Sequence, residues 1–155
     1  PMPTLAQYLE AAKDTKVPLV LELKPHATPE AETAAAEAVV KMVGRYGLSK
    51  RVTYISFSLH VMKELARLAP AKTQLMYLGG GTLPKDLKAM GLTGCDFNYG
   101  VYLNNPTWLN DIKALKMASN VWTVNNPADM IWAIENRVDF ITTDRPDLFL
   151  KLTRK

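Results

Sequence analysis

Glu22 and Lys24, in the run Leu21-Glu22-Leu23-Lys24-Pro25, are the first residues whose types and spacing could do chemistry. Side chains along a strand alternate between its two faces. Leu19, Leu21 and Leu23 therefore share a face suited to packing beneath helices, and Val20, Glu22 and Lys24 share the other. An acid and a base at the C-terminal end of a parallel strand stand where α/β sites form, in barrels and open sheets alike. The plainer reading is a surface ion pair at a strand end. Three further segments close apolar runs with polar or aromatic residues: Ser56-Phe57-Ser58, Trp122-Thr123-Val124-Asn125, and Phe140-Ile141-Thr142-Thr143-Asp144-Arg145-Pro146. Taken singly, Phe57 and Trp122 read as core and Asp144 as a helix cap.

Two histidines are present, His26 just beyond Lys24 and His60 at a helix start. Either could titrate near neutrality, but loop and cap positions are the simpler reading. Gly79-Gly80-Gly81-Thr82 could cradle a phosphate ahead of a helix. It has neither the Walker lysine pattern nor the dinucleotide spacing, so it reads first as a flexible loop.

The elements that must position these residues follow from the alternation of apolar runs with helix-forming stretches. Six runs read as strands: residues 19–23, 52–57, 74–78, 94–99, 121–124 and 138–142. Helices are expected over Leu5 to Lys13, Ala31 to Met42, Val61 to Leu68, Leu83 to Met90, Trp108 to Met117 and Ala128 to Asn136. Thr28-Pro29, Asn105-Pro106 and Asn126-Pro127 each set a capping side chain before a proline, a helix-start signature. Gly47 and Gly91 mark stops. Strict alternation argues for a parallel α/β sheet covered by helices. No linker divides the chain, so residues 1–155 are expected to form a single domain. An eight-fold barrel needs ~250 residues. On pattern alone, 155 residues and six strands favour an open doubly wound sheet.

Composition narrows the function classes. Hydrophobic residues make up 48% and charged residues 22%, an ordinary globular balance. The net charge of +4 comes from dispersed basic residues, the densest patch being Lys151, Arg154 and Lys155. That dispersal argues against nucleic acid and suits an anionic small substrate. No apolar run approaches the ~18 residues of a membrane helix. The single Cys95 excludes an internal disulfide and any multi-cysteine metal site, and its apolar run predicts a buried thiol. Cytoplasm and periplasm both stay open. The opening Pro1-Met2-Pro3 is expected to be the interior of a longer protein.

In this order, Pro3-Thr4-Leu5, the Glu-x-Lys strand, the Ser-Phe strand end, Trp-Thr-Val-Asn and Ile-Thr-Thr-Asp-Arg-Pro resemble the glycerophosphodiester phosphodiesterase family. The last two motifs, separated by one helix, are the most specific. The resemblance reverses the fold preference: it implies a parallel, incomplete TIM-type (β/α) barrel of about six strands. It implies a phosphoric diester hydrolase of lipid metabolism that releases glycerol phosphate and an alcohol from a glycerophosphodiester. It implies a divalent cation, Mg²⁺ or Ca²⁺, in the complete protein. By the same resemblance Glu22 is a metal ligand, Lys24 lies near the phosphate, and Phe57 and Trp122 line the substrate pocket. A hard cation takes oxygen ligands and neutralises phosphate charge, to which a lysine adds.

The family's opening motifs, a His-Arg-Gly strand, a Glu-x-Asp strand and a His-Asp element, are absent from this sequence. The chain alone is therefore expected to be inactive. It is expected to form a homo-oligomer or to need a missing N-terminal segment, because unpaired sheet edges drive association. The alternative is a non-catalytic half-barrel that binds a partner.

Overall fold

Local signals account for most of the helix starts. The computed structural model describes residues 2–153, so Pro1 and the Arg154 and Lys155 of the terminal basic patch lie outside it. Helix α1 (Leu5–Lys13) opens with a capping box, in which Thr4 Oγ1 accepts from the Gln7 amide and Gln7 Oε1 accepts from the Thr4 amide. Strand β1 (Leu19–Glu22) leads to α2 (Pro29–Arg45), capped by Thr28 on the Ala31 amide with Pro29 in the first turn. Strand β2 (Val52–Ser56) leads to α3 (Leu59–Leu68), capped by Ser58 on the Val61 amide. Gly47 and Gly91 follow α2 and the later helix α4 (Pro84–Ala89) at φ of 70° and 86°, where a side chain would strain the backbone.

Strand β3 (Gln74–Tyr77) precedes α4, and β4 (Gly94–Asn98) follows it. Then come α5 (Tyr99–Asn104), α6 (Trp108–Ala114), β5 (Ala118–Trp122), α7 (Pro127–Glu135), β6 (Phe140–Ile141) and α8 (Pro146–Thr153). The strands are hydrogen-bonded in the order β1-β2-β3-β4-β5-β6. The β1–β2, β4–β5 and β5–β6 pairs are parallel. A doubly wound open sheet reverses its strand order at a switch point. The order here never reverses, so the fold is an α/β, incomplete TIM-type barrel of six strands with eight helices among the described residues.

The chain divides into two compact units: the residues up to Met76 with Met90–Leu92, and Tyr77–Ala89 with Thr93 onward. In the first, Leu9, Leu19, Leu23, Val43, Val52, Tyr54, Val61, Met62 and Leu65 are buried. Arg51 ties the end of α1 to β2 by donating to the carbonyls of Ala12 and Val17 and to Thr15 Oγ1. In the second, Cys95, Phe97, Tyr102, Trp108, Ile112, Val121 and Met130 are buried. Phe97 centres that core, 5.7 Å from the Tyr102 ring and 5.6 Å from Trp108.

Four sequence expectations need correction. Asn105 does not start a helix: its Nδ2 donates to the Val101 carbonyl and closes α5, while α6 begins after Thr107 without a side-chain cap. Tyr99 belongs to α5, not β4, because Asn98 Oδ1 takes the Gly100 amide and turns the chain. Strand β5 begins at Ala118 rather than Val121, as pairing with Gly94–Asn98 overrides the weak strand preference of Ala-Ser-Asn. Strand β6 is only Phe140–Ile141, paired to Asn120 and Val121.

Candidate functional site

In the first unit the alternation along β1 appears as expected. Leu19 and Leu23 are buried, Val20 is 62% exposed, and Glu22 and Lys24 are exposed with it. The two charged groups meet, Lys24 Nζ standing 2.7 Å from Glu22 Oε1. The plain ion-pair reading therefore describes the geometry, and it leaves the Lys24 side chain 72% exposed to solvent. Phe57 follows β2 directly and is 43% exposed, more open than a core residue would be.

Beneath these residues runs a hydrogen-bond network that the sequence reading missed. Ser56, fully buried, donates from Oγ to the Leu23 carbonyl at 2.6 Å and accepts from the Ser58 amide at 3.0 Å. Glu32, in the first turn of α2, accepts from the His26 amide at 3.2 Å and from the Ser58 hydroxyl at 2.7 Å. His26 Nδ1 lies 2.8 Å from the Lys24 carbonyl. His60 instead joins α3 to α2, its Nε2 2.9 Å from Thr33 Oγ1. Both histidines hold backbone or helix contacts, as the loop-and-cap reading expected. The available signal for Glu32 was an acid on an alanine-rich helix at a position that turned out to be buried.

In the second unit Trp122 ends β5, half-buried, and its Nε1 donates to the Asp96 carbonyl at 2.9 Å. Its peptide bond to Thr123 is cis, and Thr123 is exposed. Two residues back on the same face of β5, buried Asn120 donates from Nδ2 to Asp96 Oδ1 at 2.8 Å and to Thr142 Oγ1 at 2.9 Å. This row crosses the β4–β5–β6 ladder at the register pair Asp96↔Asn120. A carboxylate between Cys95 and Phe97 in an apolar strand was the signal for it, since buried charge needs partners.

Asp144 does not cap a helix as the sequence suggested. Its Oδ2 accepts from Asn125 Nδ2 at 2.8 Å and its amide donates to Asn125 Oδ1 at 2.9 Å, so it clasps the segment after β5. Thr143 joins that clasp from Oγ1 to Asn125 Oδ1 and takes the Arg145 amide. Two of the glycines in the Gly79–Gly81 stretch are closely approached by side chains, while Gly81 has open space around it. A Cβ on Gly79 would meet the Tyr77 hydroxyl oxygen at 2.5 Å, and one on Gly80 would meet Val101 Cγ2 at 2.3 Å, so a larger residue at either position forces its neighbour to shift.

Burial sets the acidities of this core. It pushes the Cys95 thiol up to about 12, and Asp96 alongside adds to the rise. Tyr102 is raised by burial first and then by Cys95, Asp96 and Asp139, and its hydroxyl donates to the Asn120 carbonyl at 2.9 Å. A thiol reacts as its thiolate. Native protein near pH 8 is therefore expected to leave Cys95 unmodified by DTNB, while denatured protein reacts fully. Prompt colour from the native sample would show that the strand opens or the thiol is ionised.

Among the described residues no group of three or more His, Cys, Asp or Glu is placed to hold a metal ion. Glu22 offers one carboxylate, already paired with Lys24. Hard divalent cations take about six oxygens, so these residues do not by themselves fit one. A cleft of about 580 Å³ in the second unit is lined by Lys113, Lys116, Arg137 and Asp139, and none of the candidate residues lines it.

A family model described as the glycerophosphoryl diester phosphodiesterase family matches residues 1–148. A glycerophosphodiester phosphodiesterase of Caldanaerobacter subterraneus subsp. tengcongensis is 28% identical over 161 residues, covering 99% of this chain and 63% of the relative. The solved structure of a glycerophosphodiester phosphodiesterase from Parabacteroides distasonis is 48% identical, with a TM-score of 0.94 over 97% of this chain and 63% of its own. A further structure, from Silicibacter pomeroyi, is 25% identical with a TM-score of 0.85, covering 97% of this chain and 56% of its own. The chain thus spans under two thirds of the length of each. With a family match over residues 1–148, nearly its whole length, the chain belongs to the glycerophosphoryl diester phosphodiesterase family.

Proposed function

We propose that the protein containing this chain is a phosphoric diester hydrolase that converts glycerophosphodiesters to glycerol phosphate and an alcohol. The observation that carries this reading is the 48% identity, across 97% of the chain, to the glycerophosphodiester phosphodiesterase of Parabacteroides distasonis. The complete protein takes a divalent cation, Mg²⁺ or Ca²⁺, to which Glu22 contributes one carboxylate. Lys24 supplies positive charge to the phosphate oxygens, a role its exposed ammonium permits. Phe57 and Trp122 offer apolar surface to the glycerol and alcohol portions, and the Asp96 carbonyl fixes the indole edge of Trp122. These residues bind and orient; acid and base catalysis is assigned to none of them.

The test is the full-length protein assayed on glycerophosphocholine with Mg²⁺ or Ca²⁺. Release of glycerol phosphate is expected, and Lys24→Ala is expected to lower kcat/KM by ~10-fold or more. Absence of turnover across several glycerophosphodiesters and both metals would overturn the assignment.

A second reading, a non-catalytic half-barrel that binds a partner or a second copy, is favoured by one feature of the second unit. Helix α8 buries none of its residues, and Phe140 and Leu150 are 50% and 51% exposed. Such surface suits association.

A further inference from the structure

We infer that Glu32 is a positioning residue that holds the loop bearing Lys24 and the loop bearing Phe57 to each other. The inference rests on the proposed roles of Lys24 and Phe57 in binding the phosphodiester. Glu32 is 6% exposed, and a carboxylate so deeply placed needs partners for its charge. It has them in the first turn of the 17-residue helix α2, whose N-terminal amides favour a negative group.

Its two oxygens serve different loops. Oε1 accepts from the His26 amide, two residues beyond Lys24 in the β1–α2 connection. Oε2 accepts from the Ser58 hydroxyl, one residue beyond Phe57 in the β2–α3 connection. Each loop also carries a short-range bond of its own. His26 Nδ1 meets the Lys24 carbonyl, while the Ser58 amide meets Ser56 Oγ, which donates to the Leu23 carbonyl. The bonds form a closed circuit: Leu23 to Ser56, Ser56 to Ser58, Ser58 to Glu32, Glu32 to His26, and His26 to Lys24. Removing the carboxylate opens that circuit between Ser58 and His26, leaving the Leu23–Ser56 bond as the remaining link in it between the two sides. Glutamine can keep both links, accepting from His26 through its oxygen and donating to Ser58 Oγ through its nitrogen. Alanine can keep neither.

The test compares Glu32→Ala, Glu32→Gln and a purely structural control, Leu65→Ala, in the full-length protein. Leu65 is fully buried in α3, and its apolar side chain makes no hydrogen bond in this circuit. E32A is expected to lower kcat/KM on glycerophosphocholine by about 30–100-fold, mostly through KM, since misplacement of about 1 Å costs on that order. E32Q is expected to stay within about 3-fold of wild type, and L65A likewise despite a lower Tm. If L65A loses kcat/KM as E32A does, or if E32A stays near wild type, Glu32 does not position these loops.

Hydrogen exchange gives a readout that needs no turnover. E32A is expected to speed exchange of the His26 and Ser58 amides by about tenfold or more, with the β1 and β2 amides unchanged. Unchanged exchange at His26 and Ser58 overturns the inference. Should E32A fail to fold, Glu32→Met fills similar volume without an acceptor and carries the same expectation. A wild-type protein that hydrolyses nothing would sink the proposed function, and the exchange result would still decide the role of Glu32.

Discussion

The 155-residue chain, assayed alone on glycerophosphocholine with Mg²⁺ or Ca²⁺, is expected to turn over at least ~10⁴-fold more slowly than the full-length protein. Catalytic residues act as a unit, so losing several costs about as much as losing all. The His-Arg-Gly, Glu-x-Asp and His-Asp motifs that the family resemblance assigns to catalysis do not occur in this sequence. Among the described residues no cluster of three metal-capable side chains exists, and Glu22 alone cannot supply the ~6 oxygens a hard cation prefers. His26 and His60 are engaged by the Lys24 carbonyl and Thr33.

Sizing by light scattering belongs in the same experiment. β1 and β6 are the two edges of the sheet, and Val20 on β1 and Phe140 on β6 are 62% and 50% exposed. Open edges and exposed apolar residues favour association, so a homodimer or larger assembly is expected for the isolated chain. Adding the remaining part of the barrel, covalently or as a second polypeptide, is expected to restore turnover. Robust hydrolysis by a monomer of this length would refute the expectation and turn attention to His26 and His60 as bases.

The largest stability effect is expected at Phe97. Phe97→Ala is expected to destabilise the fold by about 3–5 kcal/mol, measured by urea unfolding. Phe97 is fully buried on β4, and its ring packs against Tyr102 of α5 and Trp108 of α6. Truncation removes the buried area and leaves a void between two rigid aromatic neighbours that cannot collapse into it. Phe140→Ala is the counterpart: half-exposed on the two-residue edge strand β6, it is expected to cost under ~1 kcal/mol. A Phe97→Ala loss as small as that of Phe140→Ala would show that the α5 and α6 packing is not the centre of this unit.

Local chemistry made much of the fold legible in the sequence. The Thr28-Pro29 and Asn126-Pro127 starts, the Gly47 and Gly91 stops and the alternation along Leu19–Lys24 involve partners only a few residues apart. Such signals survive without knowledge of the rest of the chain. The ordered strand-end motifs carried the family likeness, and with it the barrel in place of the open sheet that the pattern favoured. Helix α5 and the true start of β5 were not legible. Asn98 and Asn105 compete between strand end, cap and closing bond, and pairing with β4 decides where β5 begins.

The supporting shell of the candidate site belongs to tertiary structure altogether. Glu32 reaches Ser58 across 26 residues, Asn120 reaches Asp96 across 24, and Asp144 reaches Asn125 across 19. Alternation along β1 could put Glu22 and Lys24 on one face, because a strand's geometry is intrinsic to its backbone. Which buried groups hold the loops beyond them depends on which strands lie side by side. That is set by the packing of the whole sheet and its helices, and by nothing within reach of a few neighbouring residues.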